Sequence, residues 1–297
     1  MGRVISVERK TMSSQEFTQT LANGLMLAML YMLVAAGLAL IFSIMHIVNF
    51  AHGELYMLGA FVVYYFFGQW GVNYFLALLA SMVLVGLLGA LLERFLFYRL
   101  QAAHLSQVIL SLGLMILLQG AATVAFGADF KSVASPFSGV WRWGDVSLAK
   151  ERLLIIPFSM GLICLLFAFV KWTRMGRAMR AVAQDPEAAS LQGISPVRIS
   201  ALAFGIGAAL AAAAGGLIVP LFYLTPFIGG STIMKAFVVI ALGGMGSITG
   251  VVAGALILGI VDSLATTLFG STAATLAAFG VLILVLLIRP KGLFGHE

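Results

Sequence analysis

The stretch LANGLMLAMLYMLVAAGLALIFSIMHIV, from Leu21 to Val48, decides the fold class. It contains no Asp, Glu, Lys or Arg. A helix crossing the bilayer needs about 20 consecutive apolar residues, whereas the apolar core of a signal peptide has only about 7–15. The run therefore reads as a retained span behind a short polar tail, Met1 to about Glu16.

The rest of the chain has the same character. Of 297 residues, 62% are hydrophobic and 9% are charged, and the mean hydropathy is +1.09. A soluble domain carries roughly 25% charged residues to solvate its surface. Lipid must solvate much of this chain, which excludes a soluble enzyme. The 33 glycines point to close helix packing. Cys164 is the only cysteine, so neither an intrachain disulfide nor a cysteine metal site can form. Its apolar surroundings in sequence read as those of a buried, inert thiol. The net charge of +6 fits basic cytoplasmic loops and gives no sign of a nucleic-acid partner.

Further apolar runs cover roughly Leu55–Phe67, Tyr74–Leu92, Leu105–Phe126, Leu153–Val170, Ile199–Leu221, Ile233–Leu242, Val251–Leu268 and Ala273–Ile288. The expectation is an all-α, polytopic integral membrane bundle of about eight or nine transmembrane helices, a single domain over residues 1–297. The runs at 55 and 233 are short for a crossing. Each adjoins a Gly-rich or polar break, Asn49–Glu54 and Gly243–Gly250, so interrupted helices are expected near the centre. Paired interruptions of this kind point to a transport path. Ala201, Gly205 and Ala209, then Gly250 and Gly254, then Ala255 and Gly259, recur at four-residue spacing and read as helix-packing faces.

Orientation follows from Lys and Arg. Lys171, Arg174, Arg177, Arg180 and Arg198 mark one cytoplasmic loop, residues 171–198. Arg94 and Arg99 mark a second, and Arg289 and Lys291 a cytoplasmic end. The Gly127–Arg152 loop balances its charges and holds Trp141 and Trp143, which suit the opposite interface. With nine crossings the chain starts outside. Arg3, Arg9 and Lys10 pull the other way, and the side of the start stays open on sequence.

The most informative loop is GRAMRAVAQDPEAASLQGIS, Gly176–Ser195. Asp185 suits an N-cap, Pro186 the first helical position, and Glu187 the first turn, where the helix dipole favours an anion. Gly193 suits the left-handed stop after the last turn. A short, self-capped helix follows, either a rigid knob for another protein or a solvated connector.

Glu187-Ala188-Ala189, three residues and then Gly193 resemble the EAA motif of ABC importer permeases. IFSIMHIVNFAHGELYMLGAF (Ile41–Phe61), GRAMRAVAQDPEAASLQGI (Gly176–Ile194), KAFVVIALGGMGSITG (Lys235–Gly250) and LLIRPKGLFG (Leu286–Gly295) follow one another as in branched-chain amino-acid permeases. That family is related to urea, amide and ribose permeases. The Asp185-Pro186 start is a local variation. The resemblance implies a multi-pass subunit of the bacterial inner membrane, the shorter of two paralogous permeases that pair as a heterodimer. It also implies two separate ABC ATPases and a periplasmic substrate-binding protein. The coupling residues would be Asp185, Glu187, Ala188, Ala189 and Gly193, with Arg177 and Arg180 as polar docking contacts. This chain would bind no cofactor itself, ATP and Mg²⁺ belonging to the ATPases. In keeping with that, no G-x-x-x-x-G-K-[ST] phosphate loop, G-x-S-x-G or H-E-x-x-H pattern occurs, so the chain is expected to be a translocation subunit rather than an enzyme.

Ionisable residues at membrane depth normally face a cavity or a partner. Asn49, His52 and Glu54 either line or gate the path, or Glu54 caps its own helix. Gly243, Gly244, Gly246 and Ser247 read as a gate element or as tight packing. Lys235 either snorkels to the outer interface or sits at the mouth of the path, and Asp262 is its candidate ion-pair partner. The substrate expected from the resemblance is a branched-chain or other small apolar amino acid. The alternatives are urea, an amide or another small organic solute, or an ion-coupled secondary transporter resting on Glu54 and Asp262.

Overall fold

The structure, a computed structural model, describes residues 13–100, 103–137, 139–143 and 146–294. The basic tail residues Arg3, Arg9 and Lys10 lie outside the described residues. α1 (Ser14–Met45) opens on a capping box: the Ser13 hydroxyl accepts the Glu16 N–H at 3.2 Å, and the Glu16 carboxylate accepts the Ser13 N–H at 3.1 Å. With no glycine pair or proline to break it, α1 runs 32 residues, about 48 Å at 1.5 Å per residue.

α2 (His52–Val63) follows and continues through a π-helical turn, Tyr64–Gln69. α3 (Tyr74–Leu92), α4 (His104–Phe126), α5 (Lys150–Trp172), α6 (Arg174–Gln184), α7 (Pro186–Leu191), α8 (Pro196–Ile218), α9 (Ile228–Gly243), α10 (Ile248–Phe269) and α11 (Ser271–Ile288) complete the bundle. Between α4 and α5 sits a two-stranded antiparallel hairpin, β1 (Val140–Trp143) with β2 (Val146–Ala149). Among the described residues seven helices are long and apolar enough to cross a bilayer: α1, α3, α4, α5, α8, α10 and α11. The short runs at 55 and 233 become α2 with its π turn and the 16-residue α9. The eight or nine crossings expected from sequence are thus seven full-length spans and two shorter helices.

Tertiary contacts sort the helix ends. Arg152 at the start of α5 donates to the Asn23 side chain near the start of α1. Thr20 on α1 lies 3.3 Å from Thr267 at the end of α10, and Lys131 pairs its backbone with Leu224 before α9. The other end holds Arg94, Arg99, the α5–α8 loop, Arg289 and Lys291. α11 ends at this basic end, the one expected to face the cytoplasm because basic residues collect there, and α1 starts at the opposite end.

The helices meet backbone to backbone. A Cβ on Gly37 of α1 would fall 2.5 Å from the Gly207 carbonyl oxygen of α8, and one on Gly215 would fall 2.0 Å from that of Tyr56. α9 and α10 touch at Gly243 and Gly250 in the same way. In lipid such close approach supplies dispersion energy where the hydrophobic effect between helices is absent. α3, α4, α5 and α11 bury little of themselves within the chain and surround this inner group. Cys164 lies on the outward face of α5 and is exposed, not buried as its apolar run suggests.

Candidate functional site

Two places concentrate chemistry, one at the basic end and one at membrane depth. At the basic end, the Asp185 carboxylate accepts the N–H groups of Glu187 and Ala188, both at 2.9 Å, with Pro186 opening α7. Gly193 adopts φ +79°, a conformation that costs a residue with a side chain about 1–2 kcal/mol. Its N–H reaches the Ser190 carbonyl at 3.0 Å, and that of Ile194 reaches Ala189 at 3.1 Å. These two bonds form a Schellman stop. Ala189 faces inward and is buried, while Glu187, Ala188, Leu191 and Gly193 are exposed. Leu191 is 87% exposed, a bare apolar side chain on a polar surface.

α6 ties this knob to the bundle. The hydroxyl of Thr173 caps it by accepting the Gly176 N–H at 2.9 Å. Gly176 lies so close to α5 that a Cβ would sit 2.3 Å from the Phe169 carbonyl oxygen. Arg180, a docking contact on sequence, donates to the Val170 and Lys171 carbonyls and so fastens α6 to the end of α5. Arg177 stays exposed.

At membrane depth, α1 ends on His46 at φ 56°, and residues 46–51 run non-helically until α2 begins. The His52 Nε2 then lies 3.2 Å from the Val34 carbonyl. α1 covers about 16 Å from Val34 to Met45, so residues 46–51 climb back alongside it. Non-helical backbone at this depth must be enclosed by protein or line a cavity, and Ile47, Asn49 and Ala51 are buried. The Asn49 side-chain oxygen Oδ1 accepts the Ala51 N–H at 3.1 Å, which turns the chain into α2.

Glu54 does not cap α2: the N-cap is Ala51 and has no side-chain bond. Glu54 accepts instead from the Gln119 amide of α4 at 2.8 Å, beside Gly229 at the start of α9. The other Glu54 oxygen, the Asn49 amide nitrogen and the His52 Nδ1 have no partner among the described residues. Replacing Gln119 with leucine strands the whole carboxyl group, and leaving a buried acceptor unmet costs about 1–3 kcal/mol. The unfolding temperature in detergent is expected to fall by several degrees. An unchanged midpoint would remove this bond from the account.

The glycine segment lies elsewhere. Gly244 (φ 103°) and Gly246 (φ 84°) turn the chain from α9 to α10, and the Ser247 hydroxyl caps α10 by accepting the Gly250 N–H at 3.1 Å. The N–H groups of Leu293 and Phe294 meet the Leu242 and Gly243 carbonyls at 2.8 and 2.9 Å. This turn is at the basic end, beside Ser43 of α1. Glu54 packs beside Gly229 at the opposite end of α9, about 20 Å away along its axis. The first break also approaches the second, since Ile47, Val48 and Phe50 line an apolar cavity of about 290 Å³ together with Ile240, Ala241 and Met245.

A polar cavity at depth is a cleft of about 580 Å³ between α1, α9 and α10, which also reaches Tyr56 and Arg152. Asn49, His52 and Glu54 do not line it. Lys235 and Asp262 do, as an ion pair of 2.8 Å. Sequence reading paired these two residues but missed Tyr31, whose hydroxyl donates to the same Asp262 oxygen at 2.6 Å.

Comparison with known proteins supplies the frame for these features. Residues 20–288 match the family model described as branched-chain amino acid transport system / permease component. The chain belongs to that family. The high-affinity branched-chain amino acid transport system permease protein LivH of Escherichia coli K12 is 34% identical, over 94% of this chain and 96% of that protein. BraD of Pseudomonas aeruginosa, named for the same kind of system, is 34% identical over the same shares. LivM of Escherichia coli K12, another such permease protein, is 26% identical over 90% of this chain and 68% of its own. Among solved structures, a chain of PsaBC from Streptococcus pneumoniae in complex with Fab aligns over 95% of both chains at TM-score 0.50 and 16% identity, a likeness of fold. This chain is thus a multi-pass inner-membrane permease subunit.

Proposed function

We propose that this permease is one of two membrane subunits of an ATP-driven importer of branched-chain amino acids. The observation that carries the reading is α7, a helix capped at both ends and exposed at the basic end of a chain of this family. A rigid, projecting element suits the cleft of a separate ATPase. Two ATPases closing around ATP and Mg²⁺ would press on α7 and on its counterpart in a paralogous second permease, the relation that the likeness to LivM supports. Asp185 and Gly193 keep α7 rigid, Glu187, Ala188 and Leu191 make the contact, and Arg177 lies on the same exposed surface. Arg180 and Gly176 pass the movement to α5, and Pro196 passes it to α8. A periplasmic binding protein would deliver substrate to the opposite end, where the cleft opens near Arg152. The chemistry of hydrolysis resides in the partners, and this subunit converts their motion into alternating access.

Uptake of labelled leucine by cells that express the permease with its ATPases, paralogue and binding protein tests the reading. Inactivating the ATPases' nucleotide sites is expected to abolish uptake. Uptake that survives that change and collapses when the ion gradient is discharged would establish an ion-coupled transporter instead.

A further inference from the structure

We propose that Lys235 is the group in the cleft that receives the carboxylate of the passing amino acid, held in place for that purpose by Asp262 and Tyr31. The proposal rests on the importer reading and names the substrate contact within it. An ammonium has three hydrogens to donate. Lys235 gives one to Asp262 and one to the Tyr31 hydroxyl, both at 2.8 Å, and its charge also lies 5.1 Å from the Tyr31 ring centre. The third hydrogen is uncommitted among the described residues. The exposures are unequal, since the side chain of Lys235 is 28% exposed and that of Asp262 only 5%. The carboxylate and the phenol stand behind the lysine, and the ammonium is what a solute in the cleft meets.

The remaining walls complement an amino acid. Ser231, Ser263 and Thr267 each donate their only hydroxyl hydrogen to a backbone carbonyl, those of Ile228, Thr20 and Ser263 at 3.2, 2.7 and 2.9 Å. Their oxygens are left as acceptors, which suits a substrate ammonium. Met26, Leu30, Val34 and Ile218 supply an apolar wall for a branched side chain. The volume, about 580 Å³, falls within the roughly 300–1,000 Å³ of small-molecule sites. Because Asp262 already neutralises Lys235, the attraction for a carboxylate is modest. A path must hold its solute weakly enough to release it.

Neutralising both members of the pair separates this role from a structural one. Lys235→Met together with Asp262→Asn removes both charges, and Tyr31 keeps an acceptor in the new amide. A purely structural pair tolerates this exchange, since matched removal of a buried ion pair is often neutral. The proposal requires a fall in leucine uptake of roughly tenfold or more. Yield of the assembled complex, thermal stability and ATPase activity without substrate would stay at wild-type levels. Uptake equal to wild type overturns the proposal. Lys235→Arg with Asp262 intact keeps a cation in the cleft and is expected to retain most uptake, whereas loss as complete as in the double variant would also overturn it. The importer reading is judged on the wild-type complex, and this inference on the ratio of variant to wild type for whichever solute the wild type imports. A wild type that imports only a solute without an anionic group contradicts the carboxylate assignment outright.

Discussion

Valine at Gly215 is expected to remove nearly all folded protein from the membrane. The Cβ it introduces would lie 2.0 Å from the Tyr56 carbonyl oxygen and 3.1 Å from the Ala60 nitrogen. Both atoms are main chain, so no side-chain rotation relieves the overlap, and α2 must move away from α8. α2 is also the helix that brings Glu54 to Gln119 and Tyr56 to the cleft, so a displaced α2 forfeits those contacts as well. Overpacking usually costs about 1–3 kcal/mol, but separating two helix backbones belongs with the rare substitutions above about 4 kcal/mol. Against a total stability of only about 5–15 kcal/mol, that is most of the margin. The check is the monodisperse yield and the melting temperature of the detergent-solubilised protein. Wild-type values for Gly215→Val would mean that the α2–α8 contact is looser than described.

The second large effect concerns function with the fold intact. Glu187→Arg combined with Leu191→Asp is expected to lower ATP-driven uptake by about a hundredfold, the equivalent of ~2.8 kcal/mol of lost contact. Two hot-spot residues of an interface commonly carry that much. Both side chains are exposed, and the bonds that shape α7 come from Asp185, Ser190, Gly193 and backbone groups. The variant permease is therefore expected to melt at the wild-type temperature. Reduced stability would mean that α7 supports the fold, and unaltered uptake would mean that it couples nothing.

How much the sequence reveals depends on the range of the interactions involved. α7 was legible residue by residue because its determinants, Asp185, Pro186 and Gly193, act within a single loop. The long spans were legible from uninterrupted apolar length. The cleft was less so: Lys235 and Asp262 lie 27 residues apart and their pairing was readable, but Tyr31 is 231 positions from Asp262, and a tyrosine inside an apolar run looks like core. The depth of Asn49, His52 and Glu54 depends on residues 46–51 climbing back along α1, a path that hydropathy does not encode. Cys164 shows a further limit. A span that is apolar all round carries no amphipathic signal to tell its lipid face from its protein face. Arg180 is exposed, and its bonds to the end of α5 were not legible because those carbonyls become available only where α5 ends and α6 folds back.

The central claim is that α7 is where a separate ATPase docks. Co-purification from native membranes tests it most directly, with wild type compared against the Glu187→Arg, Leu191→Asp variant. The account predicts that wild type brings down the ATPases and a second permease, and that the variant keeps the second permease and loses the ATPases. A variant that retains the ATPases in full, or a wild type that purifies without any, would contradict it.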